Sequence, residues 1–266
     1  MSSDYKISPV TNDQEWDSFA TTSLGATPFS STKWMGIIEQ ITGAQRVQLG
    51  LYKNSTLCAG LAAIVQKKGP FTQLGTPELC PHTGILLGRS PEGKRPTKRE
   101  ADWQNVCNHF IDYLSNHYDH VRITQTPNLT DLRPFLWAGW KLNLRYTYHL
   151  EIKNRTESDL WDRVERRTRT AIRKAEKLGY TFQEIGDVDL LVNQYGKIYQ
   201  DRPVPINSNL VQNYVKSIYE AGLIRIFSVQ APNGETAATV AFVENDDESY
   251  AWVAGADPSH YNSGAA

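Results

Sequence analysis

The stretch SDLWDRVERRTRTAIRKAEKL, residues 158–178, decides how the second half of this chain is read. Leu160, Trp161, Val164, Thr168, Ala171, Ile172, Ala175 and Leu178 recur at the spacing of one helical face. The run therefore predicts a single amphipathic helix. Thr156, with Asp159 three residues on, predicts its N-cap, and Gly179 predicts the left-handed residue that ends it. The other faces carry Arg163, Arg166, Arg167, Arg169, Arg173, Lys174 and Lys177, opposed inside the basic run by Glu165 and Glu176. Like charges one turn apart repel by roughly a few tenths of a kcal/mol. Two readings account for such stacking. One is an anion site, because guanidinium grips phosphate or carboxylate through two parallel hydrogen bonds. The other is a solvated cationic face with scattered intramolecular partners.

The totals narrow the classes. A chain of 266 residues has room for two domains, and 40% apolar with 21% charged residues predicts a globular protein with a core. The net charge of -1 gives no global field that would recruit DNA or an anionic membrane. The balance is uneven, with 15 Lys/Arg and 12 Asp/Glu in residues 1–150 against 13 and 17 in the remainder. Seven of those 13 bases sit in the run above, so the basic helix is a local device in an acidic half. Cys58, Cys80 and Cys107 are odd in number and far apart, which fits a reducing compartment rather than a disulfide framework. The N-terminus MSSDYKISPVTNDQEW reads as no signal peptide, and no run approaches the ~18 apolar residues of a membrane span. The expected location is cytoplasmic.

Along the first half, Tyr5 to Ile7 predicts a strand, and Asp13 to Thr22 and Lys33 to Thr42 predict helices. Arg46 to Tyr52 and Leu57 to Gln66 predict a hairpin around Lys53-Asn54-Ser55, with short apolar pieces at Phe71 to Leu74 and Gly84 to Leu87. A loop over 91–99, a helix from Lys98 to His117, a strand at Val121 to Thr124 and a short helix from Leu132 to Ala138 follow. KLNLRYTYHLEI, Lys141 to Ile152, alternates with Leu142, Leu144, Tyr146, Tyr148 and Leu150 on one side, which predicts a half-buried strand. Beyond the basic run come a strand at Tyr180 to Glu184, helices over 187–200 and 209–221, and meander strands at Ile224 to Val229, Ala237 to Glu244 and Ser249 to Ala254. One β-α-α-β-β-β programme thus runs twice. The order carries no glycine fingerprint of a dinucleotide-binding fold and predicts mixed, mostly antiparallel sheets.

Several separated pieces resemble the FemAB-like branch of the GNAT acyltransferase superfamily. Phe29-Ser30-Ser31 followed by Trp34 resembles that family's early F-x-S-x-x-W segment. Arg145-Tyr146-Thr147-Tyr148-His149-Leu150 resembles the strand entering its second repeat. Arg169 to Gly179 is close to its R-x-x-I-R-K-A-x-K-x-G, and Gly222 to Val229 with Ala237 to Val243 resembles the next hairpin. The resemblance implies an α/β (α+β) fold of tandem GNAT-like lobes, here drawn as residues 1–152 and 153–266. It implies transfer of an acyl or aminoacyl group to a primary amine in a bacterial, cell-wall setting. The donor would be acyl-CoA or aminoacyl-tRNA, with no tightly bound cofactor. The partners would be an anionic small molecule or a muropeptide, with tRNA a further candidate.

The carried-over substrate-binding residues are Arg166, Arg169, Arg173 and Lys174, joined by Tyr250 from the second lobe's cleft, with Arg169 and Arg173 expected to face a cleft shared by the lobes. No catalytic residue is singled out; Glu244, Asp246 and Asp257 lie near the expected cleft. Two departures stand out. Gly36-Ile37-Ile38-Glu39 lacks the Lys that peptidoglycan members often carry there, and the donor pyrophosphate loop is absent from the first lobe. Its equivalent in the second would be Tyr261-Asn262-Ser263-Gly264-Ala265, where the sequence reads as the entry to a helix and the second lobe as truncated and prone to self-association. A non-catalytic anion- or partner-binding protein is the alternative function. Cys80-Pro81-His82 falls far short of four zinc ligands, and no metal site is expected.

Overall fold

The computed structural model describes residues 5–89, 95–199 and 207–265. The chain divides into two compact units, Met1–Asn143 and Leu144–Ala266.

The first unit runs β1 (Tyr5–Pro9), α1 (Asp13–Thr22), α2 (Thr32–Thr42), β2 (Gln45–Lys53), β3 (Thr56–Lys68), β4 (Phe71–Gly75), β5 (Ile85–Leu87), α3 (Pro96–His117), β6 (His120–Arg122) and α4 (Arg133–Trp137). Helix starts follow their caps. The Asn12 side chain accepts from the N–H groups of Gln14 and Glu15, and the Ser31 hydroxyl accepts from that of Trp34. The sheet order is β1-β2-β3-β4-β6, with β5 on β3. Every pair is antiparallel except β4–β6. Trp103, Val106, Phe110, Ile111 and Leu114 of α3 pack on Leu49, Leu51, Leu61, Leu74 and Ile85 of the sheet. Trp16, Phe29 and Trp34 are also fully buried, and the Trp34 indole donates to Cys80 Sγ at 3.1 Å.

The second unit runs α5 (Glu157–Arg163), α6 (Arg166–Lys177), β7 (Thr181–Ile185), α7 (Val188–Tyr199), α8 (Ser208–Glu220), β8 (Ile224–Gln230), β9 (Thr236–Glu244) and β10 (Ser249–Ala256). Its antiparallel sheet is ordered β10-β9-β8-β7. One face buries Ile224, Ile226, Ala237, Ala241, Val243 and Val253 with Leu191, Val192, Val211, Val215 and Ile218 of α7 and α8. The other face carries a row of rings. Phe182 stacks on Phe227 at 5.2 Å, and Phe227 meets Phe242 edge-on at 5.8 Å. The β-α-α-β-β-β programme is therefore present twice, and the fold is mixed α/β as expected. Among the described residues no helix is long and apolar enough to cross a membrane.

Three expectations need correction. Residues 141–152 join no sheet among the described residues, and Tyr146 and Tyr148 are 92% and 103% exposed. Alternation fixes which side chains share a face, but a strand also needs a neighbour to receive its backbone hydrogen bonds. The single helix over 158–178 is two helices. Val164 and Glu165 are extended, with ψ of 132° and 140°, and the Val164 N–H closes α5 on the Trp161 carbonyl at 3.2 Å. A β-branched residue at the joint favours the extended state. Lastly, Tyr261 onward does not open an α-helix. Pro258–Ser263 is a 3-10 helix closed by Gly264 at φ 84°. The loop positions 91–94 and the prolines Pro203 and Pro205 lie outside the described residues.

Helix α7 lies against β10 at a distance that only glycine permits. A Cβ on Gly255 would stand 2.2 Å from the Gln194 carbonyl carbon and 2.3 Å from the Tyr195 nitrogen. Both are backbone atoms and cannot swing aside. Gly255→Ala should therefore destabilise the chain by about 3 kcal/mol, at the upper end of overpacking costs, read as a lowered urea midpoint at unchanged slope. The same helix is tied to the end of β10 by Lys197, whose ammonium bonds the Asp257 carboxylate. That contact, with help from Ser259, holds the Asp257 carboxyl far below the usual carboxylate range. A depressed carboxyl stabilises the fold above its unfolded value of about 4 and loses that contribution as pH falls below it. Lys197→Met should remove part of this acid dependence, so that thermal midpoints of variant and wild type differ at pH 6 and converge toward pH 2.

Candidate functional site

The basic helix acquires its geometry from the break before it. Thr156 caps α5 in a full capping box with Asp159, and α5 then stops at Arg163. Its last carbonyls face Arg169, whose guanidinium donates to Trp161 O and Asp162 O at 3.4 Å and lies 3.7 Å from the Asp162 carboxylate. A cation at a helix C-terminus answers both open carbonyls and the dipole. Arg173, one turn on, places its guanidinium over the Trp161 ring at 5.5 Å. Lys174 donates to the carbonyl of Asn262. Ala171 and Ile172 are half-buried and Ala175 is buried, so the apolar stripe of α6 is real, although Thr168 and Leu178 are exposed. Arg163, Arg166, Arg167 and Lys177 are exposed and have no salt bridge among those found in the described residues.

The 3-10 helix Pro258–Ser263 packs directly under α6. A Cβ on Gly264 would stand 2.6 Å from the Ala171 carbonyl oxygen, and Gly264 also needs its positive φ. Here the chain brings together residues that sequence spacing did not connect. Tyr180 Oη and His260 Nδ1 are 2.9 Å apart, His260 Nε2 lies 3.5 Å from the Glu235 carboxylate, and the His260 ring is largely buried. Nothing short of the fold could have found this carboxylate–imidazole–phenol chain, because its members are 25 to 80 positions apart.

Strand β10 contributes an edge. It pairs with β9 alone among the described strands. Its register slips between Ala251 and Val253, leaving Trp252 as a bulge outside the ladder. Tyr250 is half-buried beside that bulge and donates its hydroxyl to Glu248. Burial and the neighbouring carboxylate push its phenol well above the ordinary range. The three carboxylates near the expected cleft differ. Asp257 is held by Lys197 and Ser259, Glu244 lies 3.2 Å from Ser249 Oγ and 3.8 Å from Arg225, and Asp246 is an exposed turn residue. No group of three or more His, Cys, Asp or Glu residues among those described could hold a metal.

Residues 162–265 match the family model described as acetyltransferase (GNAT) domain. No curated protein matches the sequence. Over 97% of this chain and 82% of the other, the structure superposes on the crystal structure of FemX with a TM-score of 0.65 and 14% identity. A conserved protein of unknown function from Bacteroides thetaiotaomicron VPI-5482 matches at 12% identity over 96% of this chain and 81% of that one, with a TM-score of 0.48. A tandem GNAT protein from the clavulanic acid biosynthesis pathway, solved without AcCoA, matches at 9% identity over 97% and 81%, with a TM-score of 0.44. The chain thus carries a GNAT acetyltransferase domain on the fold of FemX, and N-acyl transfer is the activity which that domain brings.

Proposed function

We propose that the chain moves an acyl group from a CoA thioester to the primary amine of an anionic acceptor, with a muropeptide-like cell-wall precursor as the acceptor class. The observation that carries this reading is the bulged open edge of β10 within the GNAT domain. Acyl transfer to an amine asks little covalent chemistry of a protein. The amine nitrogen attacks the thioester carbonyl carbon, a C–N bond forms, the C–S bond breaks, and the thiol leaves with the proton the amine gives up. What the protein must supply is alignment and a donor to the developing oxyanion. Backbone N–H groups released from a ladder by a bulge on an edge strand are such donors.

Within this proposal Arg166, Arg169, Arg173 and Lys174 take the anionic part of a substrate. Arg169 and Lys174 act from fixed positions, on the α5 carbonyls and on Asn262. Arg173 is held by the Trp161 ring, and Arg166 is exposed. Tyr250, with its hydroxyl on Glu248 beside the bulge, positions the substrate there. A CoA thioester suits this surface because its phosphates are what stacked guanidinium grips best.

The experiment follows thiol release from acetyl-CoA in the presence of amine acceptors, with equilibrium binding measured beside it. Arg166→Glu together with Arg173→Glu should leave the circular dichroism unchanged and weaken binding more than about tenfold, since a hydrogen bond to a charged group is worth about 1.5–3 kcal/mol. Binding and turnover indifferent to the reversal would make α6 a solvated face. Binding without thiol release from any acceptor would favour the non-catalytic alternative.

A further inference from the structure

His260 is a buried imidazole that the proposed acyl transfer does not use. It is 8% exposed, on the 3-10 helix Pro258–Ser263. Three pieces of the second unit meet around it. The first is the end of α6. Gly179 closes that helix at φ 84°, and the next residue, Tyr180, returns its N–H to the Ala175 carbonyl at 3.1 Å. The Tyr180 ring then meets the His260 ring edge-on at 5.7 Å, with Oη 2.9 Å from Nδ1. The second is the turn between β8 and β9. Its Pro232 would lie 3.1 Å from a Cβ on Gly179, and its Glu235 reaches to 3.5 Å from His260 Nε2. Asn233 holds that carboxylate with its side-chain amide at 2.8 Å. The third is the 3-10 helix itself, where the His260 N–H donates to the Asp257 carbonyl and the Ser263 hydroxyl donates to the His260 carbonyl.

The neighbours choose the tautomer. A carboxylate facing Nε2 favours the ring hydrogen there, which leaves the Nδ1 lone pair to accept from the Tyr180 hydroxyl. One ring thus bonds the tail of α6 on one edge and the β8–β9 turn on the other. Its backbone belongs to the segment on which α6 rests. That segment also takes the Lys174 ammonium on the Asn262 carbonyl and the Ala171 turn on Gly264. We infer, on the reading of α6 as the anion-binding element, that His260 is a positioning residue for the basic helix. Through Tyr180 and Glu235 it fixes where α6 presents Lys174 and its guanidinium groups to the anionic part of a substrate. Cations held beforehand in the bound arrangement bind more tightly, because less ordering is left to the moment of binding. His260 acts through the helix and not on the reacting atoms.

Three variants separate the two edges of the ring. Tyr180→Phe and His260→Gln both lose the phenol contact, Gln placing its amide where Nε2 stood, while His260→Asn keeps a polar atom at the Nδ1 position. Acetyl-CoA is the probe and circular dichroism the check on folding. Tyr180→Phe and His260→Gln should each raise KM about fivefold, the size of one neutral hydrogen bond, at nearly unchanged kcat. The double variant Y180F/H260Q should be no worse than either single one, because both remove the same contact. His260→Asn should recover most of the loss. A His260 that only stabilises the fold would lower thermal midpoints and leave KM alone, and that result would overturn the inference, as would additive losses. Two measurements need no ligand. In alkaline buffer the nitrogen-15 spectrum of the imidazole should show a hydrogen on Nε2 and a bare Nδ1, and exchange of the α6 amides, 166–177, should quicken in Y180F and H260Q. A wild type that neither binds acetyl-CoA nor releases thiol sinks the acyl-transfer reading alone, and these two measurements then decide. A hydrogen on Nδ1, or α6 amides as slow in both variants as in wild type, ends the positioning role.

Discussion

The close approach of α7 to β10 is the constraint on which the second unit rests. With no side chain at Gly255, the helix backbone at Gln194 and Tyr195 sits directly on the strand. That contact fixes the height of the helical layer over the sheet, and the buried aliphatic residues of α7 and α8 fill the space it defines. Gln194 reaches past the strand to donate to the Thr236 carbonyl at 2.8 Å, so the helix is tied to β9 as well. Among the described strands β10 pairs with β9 alone, and its bulge lies on the strand that this contact holds in place.

A second glycine does the same work between α6 and the 3-10 helix. Gly264 lets the Ala171 turn of α6 rest on the chain after β10. The basic helix is in this way delivered to the end of the strand whose edge is open. Its cations divide by role. Arg169 and Arg173 organise the α5–α6 corner, and Lys174 holds Asn262, while Arg166 and Arg167 stay in solvent. The contacts of Arg169, Arg173 and Lys174 are those of a cationic face with scattered intramolecular partners, and the anion site belongs to the proposal.

Elements whose sequence carries both pattern and punctuation were legible. Thr156 and Gly179 mark helix ends, and the structure places each where its chemistry calls for it. The repeated β-α-α-β-β-β order was legible for the same reason. Residues 141–152 were not, because alternation reports a face and says nothing of the neighbour a strand must pair with. The joint at Val164 was hidden because its apolar side chain continues the helical stripe while its backbone leaves it. The Tyr180–His260–Glu235 chain and the bulge at Trp252 depend on strand register, which periodicity does not encode.

The cysteines, unremarkable as a count, have a practical side. Burial pushes the Cys80 thiol up to about 12, even with the Trp34 indole opposing the shift, and raises Cys107 further. Cys58 is half-buried and raised as well. A thiol reacts as its thiolate, so all three are slow nucleophiles near neutral pH while the chain is folded. Disulfide reagents that count free thiols would then meet a nearly silent protein background, and a sudden rise in that background would report unfolding.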